Sequence, residues 1–205
     1  MPGPGIKEVI GMSSTGIDKV LILRTVAGAN RVLEDLIRKS LKHPHDIIWS
    51  SLPENGLELA RKGDYGLLIV SAPIADPKAQ KACRIAVTHP TASVLFLAEE
   101  EVLSDPDSKT ARKTLLDLGA TILTRPLTQS AFATAINAAD MAHIRLCALK
   151  KKLDDEKVIV RGKLLLMQTL AFSEEEAHKF IEKEAMNSGR TRAEVAYEII
   201  KTYEE

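Results

Sequence analysis

Five short apolar runs constrain this chain more than anything else in it: KVLIL (Lys19–Leu23), DIIWS (Asp46–Ser50), GLLIVS (Gly66–Ser71), SVLFLA (Ser93–Ala98) and ATILT (Ala120–Thr124). Each has the length and β-branched content of a buried strand rather than a helix. The segments between them are helical or turn-rich and of crossover size. In NRVLEDLIRKSL, for example, Val32, Leu33, Leu36, Ile37 and Leu41 recur at helical spacing behind the capping residue Asn30. Strands joined by crossovers form a parallel sheet with helices on both faces. The predicted fold class is therefore α/β, a doubly wound five-stranded parallel sheet that ends near Thr128.

Beyond TRPLTQS the pattern changes. From Ser130 to Gly162 no clear glycine or proline break occurs, which predicts one helix far longer than the globular average. A 3,4 spacing threads Phe132, Ile136, Ala139, His143, Leu146, Lys150, Leu153, Lys157, Val160, Leu164 and Met167. That spacing predicts a parallel coiled-coil dimer, with Ile136, Leu146, Leu153 and Val160 in the seam and its polar members setting register at some cost in stability. A single amphipathic helix packed on its own domain is the alternative.

Two capping boxes follow, Ser173 with Glu176 and Thr191 with Glu194; in each, hydroxyl and carboxylate satisfy an orphan backbone donor, so each opens a helix. Ala177, Phe180, Ile181 and Ala185 supply the first apolar face, and Gly189 in NSGR is a left-handed stop. Val195, Ala196, Ile199, Ile200 and Tyr203 supply the second. With the tail of the long helix they predict a small all-α three-helix unit near the lower size limit for independent folding.

Composition narrows the function classes. The chain has 205 residues, is 45% hydrophobic and 27% charged, and carries no net charge, so any nucleic-acid surface must be local. Cys83 and Cys147 lie far apart without a CxxC pair, and the five histidines are scattered, so neither a disulfide framework nor a zinc site is expected. No secretory signal or membrane-length apolar run is present, which predicts a cytoplasmic protein with no membrane partner; no cofactor is expected. TVAGAN contains one glycine and is not a phosphate-binding loop.

The segment RGKLLLMQTLAFSEEEAHKFIEKEAMNSGRTRAEVAYEII, Arg161–Ile200, resembles an ANTAR domain, the RNA-binding output module of response-regulator-type antiterminators. Lys163, Leu166, Met167, Phe172, Ser173, Glu174, Ala177, Ala185, Met186, Val195 and Ala196 match the family pattern; Gly162, Leu164 and Ala171 depart from it. The resemblance implies a layout of flexible N-terminus (1–16), pseudo-receiver domain (17–128), coiled-coil linker (129–160) and ANTAR domain (161–205). It also implies a homodimer that binds paired hairpins in nascent leader RNA, with no catalytic residue.

In a receiver, carboxylates after the first strand hold a divalent cation and an aspartate after the third is phosphorylated. The equivalent positions here are Arg24 and Thr25 after the first strand, Ser71 after the third, Ala98 after the fourth and Arg125 near the fifth. Such a pocket lacks the oxygen ligands a hard cation needs. Phosphorylation is then expected to be lost, and the input to be a sensor protein or small ligand. Arg24 and Arg125 either replace the missing metal's charge or bind a small anion. Asp76 in APIADP reads as a loop and helix start. For RNA, Arg161 and Lys163 near the end of the long helix and Arg190 and Arg192 before the last helix are expected to meet in one small basic site. From Arg161 to Glu205 seven Lys and Arg face nine acids, a net charge of 7 − 9 = −2. A protein-interaction adaptor is the alternative function.

Overall fold

The computed structural model describes residues 16–25, 30–42, 45–99 and 106–204. The N-terminal stretch expected to be flexible lies outside them except for Gly16, as do His43 and Glu100–Glu101. Strands β1 (Lys19–Arg24), β2 (Asp46–Ser51), β3 (Leu67–Ser71), β4 (Ser93–Glu99) and β5 (Thr121–Arg125) form one parallel sheet in the order β2-β1-β3-β4-β5. Between them run α1 (Arg31–Ser40), a π-helical turn (Leu52–Gly56) leading into α2 (Leu57–Lys62), α3 (Pro77–Ala86) and α4 (Pro106–Asp117). Then come α5 (Gln129–Leu170), α6 (Glu174–Ser188) and α7 (Arg192–Glu204).

Local chemistry sets the helix starts. Asn30 Oδ1 accepts from the Leu33 amide at 3.2 Å and opens α1. Asp76 accepts from the Lys78 and Ala79 amides at 2.8 and 2.9 Å and opens α3, with Pro77 at a position that needs no amide proton. The helix start expected at Asp76 is thus present.

The chain divides into two compact units at Cys147/Ala148. In the first, pleating sends alternate strand residues to opposite faces. Leu68, Val70, Val94 and Phe96 join Ala60 of α2, Ala79 and Cys83 of α3 and Leu115 of α4 in one core. Leu67, Ile69, Leu95 and Leu97 join Leu33 and Ile37 of α1 and Phe132 and Ile136 of α5 in the other. Helices therefore cover both faces, and β3 is buried on both sides, which is why its sequence is continuously apolar.

Helix α5 begins in this unit, where its inward residues are occupied. Ile136 is fully buried against the sheet, Asp140 accepts the Ile17 amide at 2.7 Å, and His143 Nδ1 lies 2.7 Å from the Thr91 carbonyl oxygen. This corrects the seam expected from spacing: Ile136 belongs to its own domain's core and is not an exposed coiled-coil position. Leu146, Leu153 and Val160, farther along, are 38, 64 and 46% exposed.

In the second unit the tail of α5 packs with α6 and α7 around Ile159, Leu166, Ala177, Ile181, Ala185, Val195, Ala196 and Ile199. Both capping boxes form. Ser173 N donates to Glu176 Oε2 at 2.8 Å while Glu176 N donates to Ser173 Oγ at 3.3 Å. Thr191 N and Glu194 N make the equivalent pair at 2.8 and 3.2 Å. Gly189 ends α6 at φ 65°, as its place in NSGR predicts. Helix α5 continues through Gly162, where a Cβ would stand 2.9 Å from the Ala196 Cβ; the missing side chain lets α5 and α7 approach. Two expected face residues differ: Phe180 and Tyr203 are 40 and 43% exposed, at the margins of their helices rather than in the core.

Candidate nucleic-acid interface and the sheet-edge pocket

Ligands of open α/β sheets bind outside the carboxyl ends of the strands. There β3 ends in half-buried Ser71, and Arg125 at the end of β5 donates from Nη2 to Ser71 Oγ at 3.0 Å. Arg24 is in register with Ser71, so the two side chains share a face of the sheet, and the Thr25 amide donates to the Ser71 carbonyl oxygen at 3.4 Å. Of the five expected pocket residues, Arg125 alone bonds to the Ser71 hydroxyl, while Arg24 and Thr25 lie beside Ser71 through strand register and a backbone bond. The fifth, Ala98, is fully buried in the opposite core, since it follows Leu97, the in-register neighbour of Ser71, and the pleat turns it away.

A guanidinium donating to Ser71 Oγ supplies no base, and among the described residues this hydroxyl has no other side-chain partner. The arrangement is a serine hydroxyl held by an arginine at the sheet edge. Among the described residues no group of three or more His, Cys, Asp or Glu is arranged to hold a metal ion.

In the C-terminal unit the expected cations are distributed differently from the sequence reading. Lys163 Nζ lies 2.9 Å from Glu174 Oε1 with its side chain only 17% exposed, and this contact holds the Glu174 carboxyl below its ordinary range. Arg192 Nη1 lies 3.3 Å from Glu182 Oε1, which His178 Nε2 also approaches at 3.3 Å. Glu174, His178 and Glu182 recur every four residues and so form a stripe along α6, with a lysine from α5 at one carboxylate and an arginine from α7 at another.

The single basic site expected from Arg161, Lys163, Arg190 and Arg192 is therefore corrected. Lys163 is tied to the first turn of α6 and Arg190 follows its last, about 20 Å apart at 1.5 Å per residue. Arg161 is exposed on α5. Arg190 is held through Nε to Ser188 Oγ at 3.2 Å, which itself donates to the Glu184 carbonyl oxygen at 2.6 Å. The Glu194 carboxyl is held below its ordinary range by its bonds with Thr191 and, to a lesser degree, by the charge of Arg190. Beside Arg190 a groove of about 180 Å³ opens between α6 and α7, flanked by Phe180 and Tyr203. Sequence reasoning missed this groove because both aromatics sit at helical positions that also suit a core; only the packing leaves them at the margin.

Residues 148–200 match the family of the ANTAR domain, and the match covers the tail of α5, α6 and most of α7. No curated protein matches the chain. Among solved structures, the chain is similar to a signal receiver domain of a Luxo repressor protein from Vibrio parahaemolyticus. That pair shares 16% identity over 66% of this chain and 96% of the other, at a TM-score of 0.45. It is also similar to the RcsB response regulator of Salmonella typhimurium, at 15% identity over 91% of this chain and 89% of the other, TM-score 0.39. A pilus assembly protein from Burkholderia thailandensis matches at 16% identity over 60% of this chain and 97% of the other, TM-score 0.43. The strand order β2-β1-β3-β4-β5, with α1 and α5 on one face and α2, α3 and α4 on the other, is that of a flavodoxin-like doubly wound sheet. Residues 148–200 thus match the ANTAR domain, and they follow a doubly wound α/β domain with the strand order β2-β1-β3-β4-β5.

Proposed function

We propose that this protein is a non-enzymatic, cytoplasmic RNA-binding antiterminator that acts as a homodimer on paired hairpins in nascent leader RNA. The ANTAR match, lying on a three-helix unit whose capping boxes and terminating glycine are all formed, carries this reading. Residues 17–128 act as a pseudo-receiver, 129–160 as the dimerising helix and 161–205 as the RNA-binding module. Leu146, Leu153 and Val160 form the contact between copies; their exposure leaves apolar surface for a partner helix to cover. Arg161 and Arg190 contact RNA, and Lys163 and Arg192, paired with Glu174 and Glu182, flank that surface. No helix among the described residues is long and apolar enough to cross a membrane, which suits work on nascent transcripts.

Ser71 in place of an acidic acceptor, bonded to Arg125, supports an input other than aspartyl phosphorylation: a sensor protein or small ligand at the sheet edge. Two linked modules raise affinity through effective concentration, which is the physical reason for dimerisation. The test is a gel-shift titration against paired-hairpin and single-hairpin RNAs of matched stems at two salt concentrations. Preference for the paired RNA, reduced by Arg190→Gln, is expected. Equal and steeply salt-dependent binding to both would overturn the proposal.

A further inference from the structure

The C-terminal module is acidic, at 7 − 9 = −2 from Arg161 to Glu205, and two of its cations, Lys163 and Arg192, are already engaged by Glu174 and Glu182. Neutralising many phosphates, the usual sequence-independent source of nucleic-acid affinity, is therefore a weak resource here. The groove between α6 and α7 offers a different one. Phe180 stands on one wall with its ring 5.9 Å from that of Phe172 in an edge-to-face pair, which orients it while leaving it 40% exposed. Tyr203, 43% exposed, lines the groove from α7. Leu166 lines the groove from α5, and Arg190, Glu184 and Glu198 line its polar side.

At about 180 Å³ the groove is smaller than the roughly 300 Å³ at which sites for drug-sized ligands begin, so it suits a fragment-sized group presented by something larger. Its two carboxylates repel phosphate but accept hydrogen bonds from ring and exocyclic N–H groups. Arg190 donates to carbonyl or ring-nitrogen acceptors, and the exposed rings offer planar faces. Stacking faces, donors and acceptors together, with phosphate disfavoured, match a nucleobase and match neither a backbone phosphate nor an acidic peptide.

We propose that the α6–α7 groove is a base-reading site: one unpaired base extruded from an RNA hairpin loop inserts between Phe180 and Tyr203, with Arg190 and the carboxylates of Glu184 and Glu198 reading its edge. The site rests on the RNA-binding reading above and adds to it the class of group recognised and the residues that recognise it. It also explains how an acidic module holds RNA, since stacking contributes affinity without net positive charge.

The test uses the full-length protein and a library of two-hairpin RNAs with fixed stems and fully randomised loops. Selection is expected to enrich one base at one loop position, and an abasic residue there to weaken binding roughly five- to one-hundred-fold, the range of one lost base stack. Phe180→Ala, Tyr203→Ala and Arg190→Gln are each expected to weaken the selected RNA by a similar factor. None should weaken it further once the abasic residue is present, because each then removes an interaction already lost. Circular dichroism melts confirm that the variants fold, and Lys179→Ala, an exposed α6 residue outside the groove, is the surface control. If paired hairpins bind but loop identity and the groove substitutions have no effect, the base-reading site is wrong while the antiterminator reading stands. If the abasic and protein effects add independently, the base docks elsewhere. If the groove substitutions alter the sedimenting mass of the protein and leave RNA affinity unchanged, the groove is a protein contact. If no paired-hairpin binding occurs in any sequence, both readings fall together.

Discussion

Removing the side chain of Ile181 should melt the C-terminal unit alone. Ile181 is 1% exposed and packs with Leu166, Val195 and Ala196 in a core separate from the two cores of the α/β domain. Ile→Ala at a buried site costs about 2–5 kcal/mol, the spread reflecting how far the cavity collapses. Here three helices pack around it, Gly162 already brings α5 close to α7, and little inward movement remains, which removes the low end of that range, so about 3 kcal/mol is a conservative figure. A unit of this size has a total stability of only about 3–5 kcal/mol, so the substitution removes most of it. At roughly 4–8 °C per kcal/mol for a domain of this size, its melting temperature should fall about 12–24 °C. Scanning calorimetry of Ile181→Ala is expected to show an early transition well separated from an unshifted later one, with loss of hairpin binding at the temperature of the first. A fall of less than about 5 °C, or equal movement of both transitions, would refute the argument that the two units have independent cores.

Acid should act on the same unit. Glu176 and Glu194 are held below their ordinary carboxyl value near 4.5 by backbone bonds with Ser173 and Thr191, and Glu174 by its bond with Lys163. A lowered folded-state value contributes stability that is complete above the ordinary value and is lost as pH falls below it through the lowered one. The first transition should therefore move down between pH 5 and pH 3, seen by circular dichroism; a constant midpoint over that interval would contradict the capping-box account. Glu174→Gln should release Lys163 to phosphates, tightening hairpin binding at low salt and steepening the salt dependence by about one phosphate contact, measured by titration at three salt concentrations. An unchanged slope would show that Lys163 faces no phosphate. If Ser71 stands at the acceptor position, as the proposed pseudo-receiver requires, incubation with acetyl phosphate and magnesium should leave the intact mass unchanged; stoichiometric gain of a phosphoryl group would overturn the degenerate-pocket reading.

Much of the fold was legible because its signals are local. Five β-branched runs separated by crossover-sized segments need a parallel sheet, and the residues of both capping boxes lie within four positions of each other, so each box forms as read. Asn30, Asp76 and Gly189 act on the backbone beside them, and all three behave as their positions predict. The candidate site was legible in its chemistry but not in its geometry. Ser71 and Arg125, 54 positions apart, are brought together because β3 and β5 flank β4 in the sheet. Ala98 was misplaced by one residue's worth of pleat, since sequence order assigns it to the strand end and only register decides its face.

Local pattern therefore determined which segments are strands and helices, where the helices begin and end, and that the last three pack as a small helical unit. Tertiary structure decided which apolar residues are spent inside and which remain outside. A 3,4 spacing runs unchanged from Phe132 to Met167, yet the sheet covers Ile136 and leaves Leu153 exposed, because spacing describes one helix and burial depends on what lies opposite. Charge follows the same rule. Lys163 and Arg192 read as free cations along the chain, but α6 brings a carboxylate to each, leaving Arg190 beside two exposed aromatic rings as the outward-facing edge of the module.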